Sequence, residues 1–137
     1  MIRKTLNTLM ASLLAGTLGS VALAAPAQAG GSLSITLAPK NAKQQRAMQA
    51  GLAIYAISQG IKGGSIKQKG VGNMAGLLQN GHGNLGIVHQ EGKGHNGTVQ
   101  QNGNGNSYGL FQFGKKTNGH VAQNGNGNSG ATFQFGW

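Results

Sequence analysis

Glutamine recurs every eleven residues through the second half of this chain, at Gln68, Gln79, Gln90, Gln101, Gln112, Gln123 and Gln134. Self-similarity at a fixed period marks a repeat architecture, so this phase constrains the fold more than any other feature. Three further columns keep it. A glycine stands two residues after each glutamine, at Gly70, Gly81, Gly92, Gly103, Gly114, Gly125 and Gly136. Five residues after the first six comes a turn-favouring polar residue: Asn73, Asn84, His95, Asn106, Thr117 and Asn128. Two residues before each glutamine lies a mostly aliphatic column of Ile66, Leu77, Val88, Val99, Leu110, Val121 and Thr132.

Side chains alternate across a strand. In the block 106–112, Asn106, Tyr108, Leu110 and Gln112 therefore share one face. In the other blocks the second of these positions is small: Gly64, Ala75, Gly86, Gly97, Gly119 and Gly130. An inward set of amide, small residue, aliphatic and amide describes a thin interior. The stretch between strands is rich in Gly and Asn, which tolerate positive φ and favour turns. Each 11-mer thus reads as one strand and one tight turn.

Two such units close a coil. QNGNGNSYGLF at 101–111 nearly recurs as QNGNGNSGATF at 123–133, so the structural period is 22 residues. The expected fold class is all-β: a two-sheet β-solenoid of 22-residue coils, each rising about 4.8 Å. Gln68, Gln90, Gln112 and Gln134 are expected in one sheet, and Gln79, Gln101 and Gln123 in the other. Stacked glutamines, with Asn73, Asn84, Asn106 and Asn128, are expected to form amide ladders along the axis. Phe111 with Phe133, and Phe113 with Phe135, lie 22 apart and are expected to stack on an outer face. The last block follows the pattern to Gln134 before Phe135-Gly136-Trp137. An uncapped coil presents bare strand edges that template further pairing, so this end is read as open and as the assembly end.

Residues before the repeat divide in two. Residues 1–29 resemble a cleaved signal peptide: Arg3 and Lys4, an apolar run from Leu9 to Ala25, and an Ala27-Gln28-Ala29 ending. Residues 30–61 are a non-repeat segment, with alternation over Ser32 to Leu37. Pro39 and the spacing of Met48, Leu52, Tyr55 and Ala56 predict an amphipathic helix near 40–60. The expected role of this segment is to cover the first coil, leaving residues 62–137 as the solenoid.

Composition argues against catalysis. The chain has no cysteine and no aspartate, and Glu91 is its only acid. No carboxylate pair, Ser-His-Asp relay or thiol nucleophile can be assembled. No catalytic residue, metal ligand or cofactor is assigned. The runs 81–86 and 125–130 fit G-x-G-x-x-G, but they are by-products of the repeat and lack the acid that a dinucleotide site needs. His82, His89 and His120 read as turn or outward residues, and His95 takes an Asn position. Residues 30–137 hold nine cations against Glu91, a net charge of +8. Such a surface suits non-specific anionic partners, lipopolysaccharide or extracellular DNA, without the interleaved aromatics of a specific nucleic-acid reader. Outward threonine is nearly confined to Thr98, which disfavours an ice-binding array.

The motif Gln68-x-Gly70-x-x-Asn73-x-Ala75-x-x-x-Gln79 resembles the curlin repeat, and the resemblance extends over 65–137. His95 and Thr117 depart from its Asn position, and Tyr108 from its small one. The resemblance implies a subunit of a curli-type fibre: secreted to a bacterial surface, polymerising with itself as amyloid, and supporting adhesion and biofilm matrix. It also implies a nucleating or major subunit and a secretion apparatus as partners.

Overall fold

The computed structural model describes residues 30–137; the expected signal segment, 1–29, lies outside them. Strand β1 (Ser32–Leu37) and helix α1 (Ala42–Gln59) precede seven further strands. These are β2 (Gly64–Val71), β3 (Met74–Asn80), β4 (Leu85–Lys93), β5 (Asn96–Asn102), β6 (Ser107–Lys115), β7 (Asn118–Asn124) and β8 (Ser129–Gly136). Each turn sends the chain to the opposite sheet, so alternate strands stack in parallel. One sheet runs β1-β8-β6-β4-β2 and the other β3-β5-β7. Partners are 22 residues apart, as in Gln68↔Gln90↔Gln112↔Gln134 and Gln79↔Gln101↔Gln123. The fold is a β-solenoid of 22-residue coils with one helix.

The interior is as thin as the inward set requires. Val88, Val99 and Leu110 are fully enclosed, and Thr132 is buried. Ile66, in the terminal strand β2, is 45% exposed because no coil lies beyond it. Glycine at the small position is a matter of space. A Cβ on Gly97 would lie 2.4 Å from Gln112 Oε1, and one on Gly86 2.4 Å from Leu77 Cδ1.

The phased glycine after each of the first five glutamines is fixed by the next coil. Gly92 has φ +132°, and a Cβ there would stand 1.9 Å from the Gly114 carbonyl oxygen. Gly70, Gly81, Gly103 and Gly114 approach the coil above in the same way. Gly136 differs from its expected turn role: it closes β8 and pairs with Ser32. A second phased column goes left-handed in each turn, at Gly72, Gly83, Gly94, Gly105, Lys116 and Gly127. Lys116, at φ 51°, is the one non-glycine with positive φ among the described residues.

Helix α1 starts at Asn41, whose Oδ1 accepts from the Gln44 amide at 2.9 Å, and ends at left-handed Gly60. Both are the end residues that satisfy orphan backbone groups. Its buried residues Met48, Leu52 and Ala56 pack on Ile87, Phe111 and Ala131, on the outer face of the five-stranded sheet. Burying side chains the size of Met48 and Leu52 contributes roughly 1.5–3 kcal/mol each.

The position of the non-repeat segment corrects the expected one. It covers the last coil, not the first, and the C-terminal edge of the larger sheet is not open. Strand β1 lies antiparallel on β8, with Ile35 opposite Phe133 and Leu33 opposite Phe135. The backbones of Gly31 and Trp137 exchange both hydrogen bonds, at 3.0 and 2.9 Å. The reason lies in the outward residues. Strands β4, β6 and β8 offer Ile87, Phe111, Ala131 and Phe133, an apolar seat for the helix and for Leu37. Strand β2 offers Ser65, Lys67 and Lys69 in the same columns, and no apolar face can dock there.

Candidate assembly interface

The glutamines bind in two directions. Gln90 Nε2 donates to Gln112 Oε1 at 2.7 Å along the axis and to the Met74 carbonyl at 2.7 Å across the interior. Gln101 does the same towards Gln123 Oε1 at 2.9 Å and the Leu85 carbonyl at 3.0 Å. Gln68, Gln79 and Gln112 also donate to the glutamine above. In Gln90, Gln101 and Gln112 one amide proton therefore sets the coil stack and the other ties the two sheets. Gln90, Gln101 and Gln112 are fully buried, and no buried side-chain polar atom among the described residues lacks a partner.

The asparagines do not form the expected side-chain ladder. Asn84 Oδ1 accepts from the Asn106 backbone amide at 3.0 Å, while its Nδ2 donates to the Gly103 carbonyl at 2.9 Å. Asn73 and Asn106 bind the next coil's backbone in the same way. Asn128 has no coil above; its Nδ2 donates to Asn124 O at 3.0 Å. Asn102, at the end of β5, does reach its counterpart, its Nδ2 donating to Asn124 Oδ1 at 2.9 Å, so the turn asparagines differ in having backbone groups of the next coil within reach. His95 reproduces the scheme with its ring. Nδ1 lies 3.3 Å from the donating Thr117 amide and 2.8 Å from Thr117 Oγ1, and Nε2 lies 3.2 Å from the Glu91 carbonyl. Since a carbonyl only accepts, the proton sits on Nε2.

On the outer face Phe111 stacks on Phe133 with ring centroids 4.8 Å apart, and Phe113 on Phe135 at 5.4 Å. Tyr55 of α1 meets Phe111 edge-on at 5.5 Å. The aromatic pairs are thus partly a seat for the helix. Trp137, placed at an open end by the sequence pattern, instead lies against Gly31. His89 sits beneath Tyr55, its Nδ1 3.4 Å from the hydroxyl, and partial burial holds its pKa below the ordinary value. Lys67 adds to that shift, and Glu91 opposes it. Glu91 pairs with Lys69 at 3.2 Å in solvent, which lowers its carboxyl pKa. His120 Nδ1 bonds Thr98 Oγ1 on the outer face of the other sheet. Among the described residues no group of three His or acidic side chains could hold a metal ion.

The two ends of the solenoid differ in hydrogen-bonding polarity. At the β2/β3 end, Gln68 Oε1 and Gln79 Oε1 accept no hydrogen bond among the described residues, although both side chains donate upward. At the β7/β8 end, Gln123 and Gln134 each use one amide proton, on Ser107 O and Asn118 O, and among the described residues have no glutamine above to receive the other. One end offers acceptors and the other donors. Among the described residues, β2, β3 and β7, like the added strand β1, each have one edge with no strand paired to it.

These features define a two-sheet, amide-lined β-solenoid with bare strand edges at both ends. No protein-family model, curated protein or solved structure matches the chain.

Proposed function

We propose that the chain is a secreted, non-enzymatic subunit of an extracellular amyloid fibre of the curli type, built by end-to-end stacking of solenoids on a bacterial surface. The observation that carries this reading is the bare edge at each end, β2 and β3 at one and β7 at the other, on strands that keep the same Gln and Gly columns as the interior ones. A strand edge in register with its own repeat is a template that soluble proteins normally blunt. The fibre serves adhesion and biofilm matrix, and its partners are further copies, a nucleating or major subunit and an export apparatus. Lys93 and Lys115, in register on β4 and β6, give its surface a basic row for anionic polymers.

Thioflavin-T-monitored assembly of the purified chain, followed by fibre diffraction, tests the reading. Fibres with a meridional reflection near 4.8 Å are expected. A chain that stays soluble, or fibres without that reflection, would remove it.

A further inference from the structure

We infer that successive copies join by a half-turn screw, so that β2 of one molecule pairs with β7 of the previous one and its β3 pairs with β8, after residues 31–37 leave β8. This rests on the stacking read above and specifies its geometry.

The described solenoid contains seven strand-turn units, four strands in one sheet and three in the other, with β1 as an addition on β8. The next vacant level above β8 is on the three-stranded side. A copy added without rotation would put its β2 over β8 and its β3 two levels above β7. The edge of β7 would then face a gap one strand wide. Rotating the copy by half a turn removes the gap, because β2 then occupies the level above β7.

Every column passes through this seam in register. Extending the 22-residue pairing brings Gln68 of the new copy over Gln123 and its Gln79 over Gln134. The acceptor oxygens that have no partner then meet the spare amide protons, and the polarity permits only head-to-tail joining. Ile66, 45% exposed, lands on Val121, and Leu78, 59% exposed, lands on Phe133. Without rotation, Lys67 would land on Phe133 instead. Strand β1 occupies the place that β3 needs, and it runs antiparallel where the stack is parallel. It is therefore a strap that the incoming copy displaces. Each copy advances the fibre by about 17 Å, at ~4.8 Å per coil, and helix α1 alternates sides.

The chain has no cysteine, so paired substitutions report the seam cleanly. Lys69, Asn80, Asn124 and Phe135 are all exposed, and a disulfide needs Cα atoms about 4.4–6.8 Å apart, the spacing of registered neighbours. Full-length variants are assembled, oxidised, and run on non-reducing gels. Lys69→Cys with Asn124→Cys, and Asn80→Cys with Phe135→Cys, are expected to give ladders of covalent multimers in fibres. Lys69→Cys with Phe135→Cys is expected to give none. The reverse pattern overturns the half-turn while leaving the fibre reading intact. Cross-linking of the first pair but not the second overturns the release of β1. Absence of fibres from every variant and from the parent chain overturns the function itself.

Discussion

The Tyr108 hydroxyl lies 2.7 Å from the Thr132 hydroxyl, with both side chains buried. Each residue departs from its column, Tyr108 from a small position and Thr132 from an aliphatic one. The departures compensate. The ring lies over Gly130, where a Cβ would come within 2.6 Å of it, and the hydroxyl reaches the coil above. Thr132 also bonds Thr36 of β1 at 3.0 Å.

The loss should be unequal for the two partners. Tyr108→Phe leaves Thr132 with Thr36 and is expected to cost about 0.5–1.5 kcal/mol; Thr132→Val leaves a buried phenol unpartnered and should cost about 1–3 kcal/mol. The double variant is expected to cost less than their sum. Urea unfolding of soluble monomer measures all three.

Gln101 carries bonds in both directions from a fully buried site, so Gln101→Leu should destabilise the monomer by at least about 2 kcal/mol, through the Leu85 carbonyl and Gln123 oxygen it leaves without that donor. Gln134→Leu, at the half-exposed end, should cost clearly less. Equal unfolding midpoints for the two variants would contradict the cross-sheet role.

Lys116 holds a left-handed turn position that glycine fills in the other five turns. A non-glycine there costs roughly 1–2 kcal/mol, partly offset by the greater unfolded-state freedom of glycine. Lys116→Gly is expected to raise stability by about 0.5–1 kcal/mol, read as a higher urea midpoint with an unchanged slope.

Acid should weaken the seating of α1. Burial lowers the His89 pKa in the folded state below the unfolded value of about 6.5, so the unfolded chain binds the proton first as pH falls. The stabilisation from neutral His89 is present above about pH 6.5 and is lost as pH falls towards the depressed folded value. Hydrogen exchange in α1 should therefore quicken between pH 7 and 5 after correction for intrinsic rates, and the change should shrink in His89→Gln. An undiminished change in that variant would assign the effect to another group.

The 11-residue glutamine phase, together with the recurrence of 101–111 at 123–133, implied two sheets, a 22-residue coil, the inward columns and the stacked phenylalanines, because a period couples every residue to its copy in the next coil. Helix α1 was legible from apolar spacing and Pro39, and β1 from its alternation. What each residue does within those columns was less legible. The turn asparagines Asn73, Asn84 and Asn106 bind the next coil's backbone and not each other, and Lys116 departs from a second glycine column that the sequence displays plainly. Where the non-repeat segment docks was decided only by tertiary structure. Periodicity is blind to a segment outside the repeat, and its seat depends on which strands of the larger sheet carry an apolar outer face. Ile87, Phe111, Ala131 and Phe133 make that seat, and so β1 lies on β8 at the end that the sequence pattern had left open.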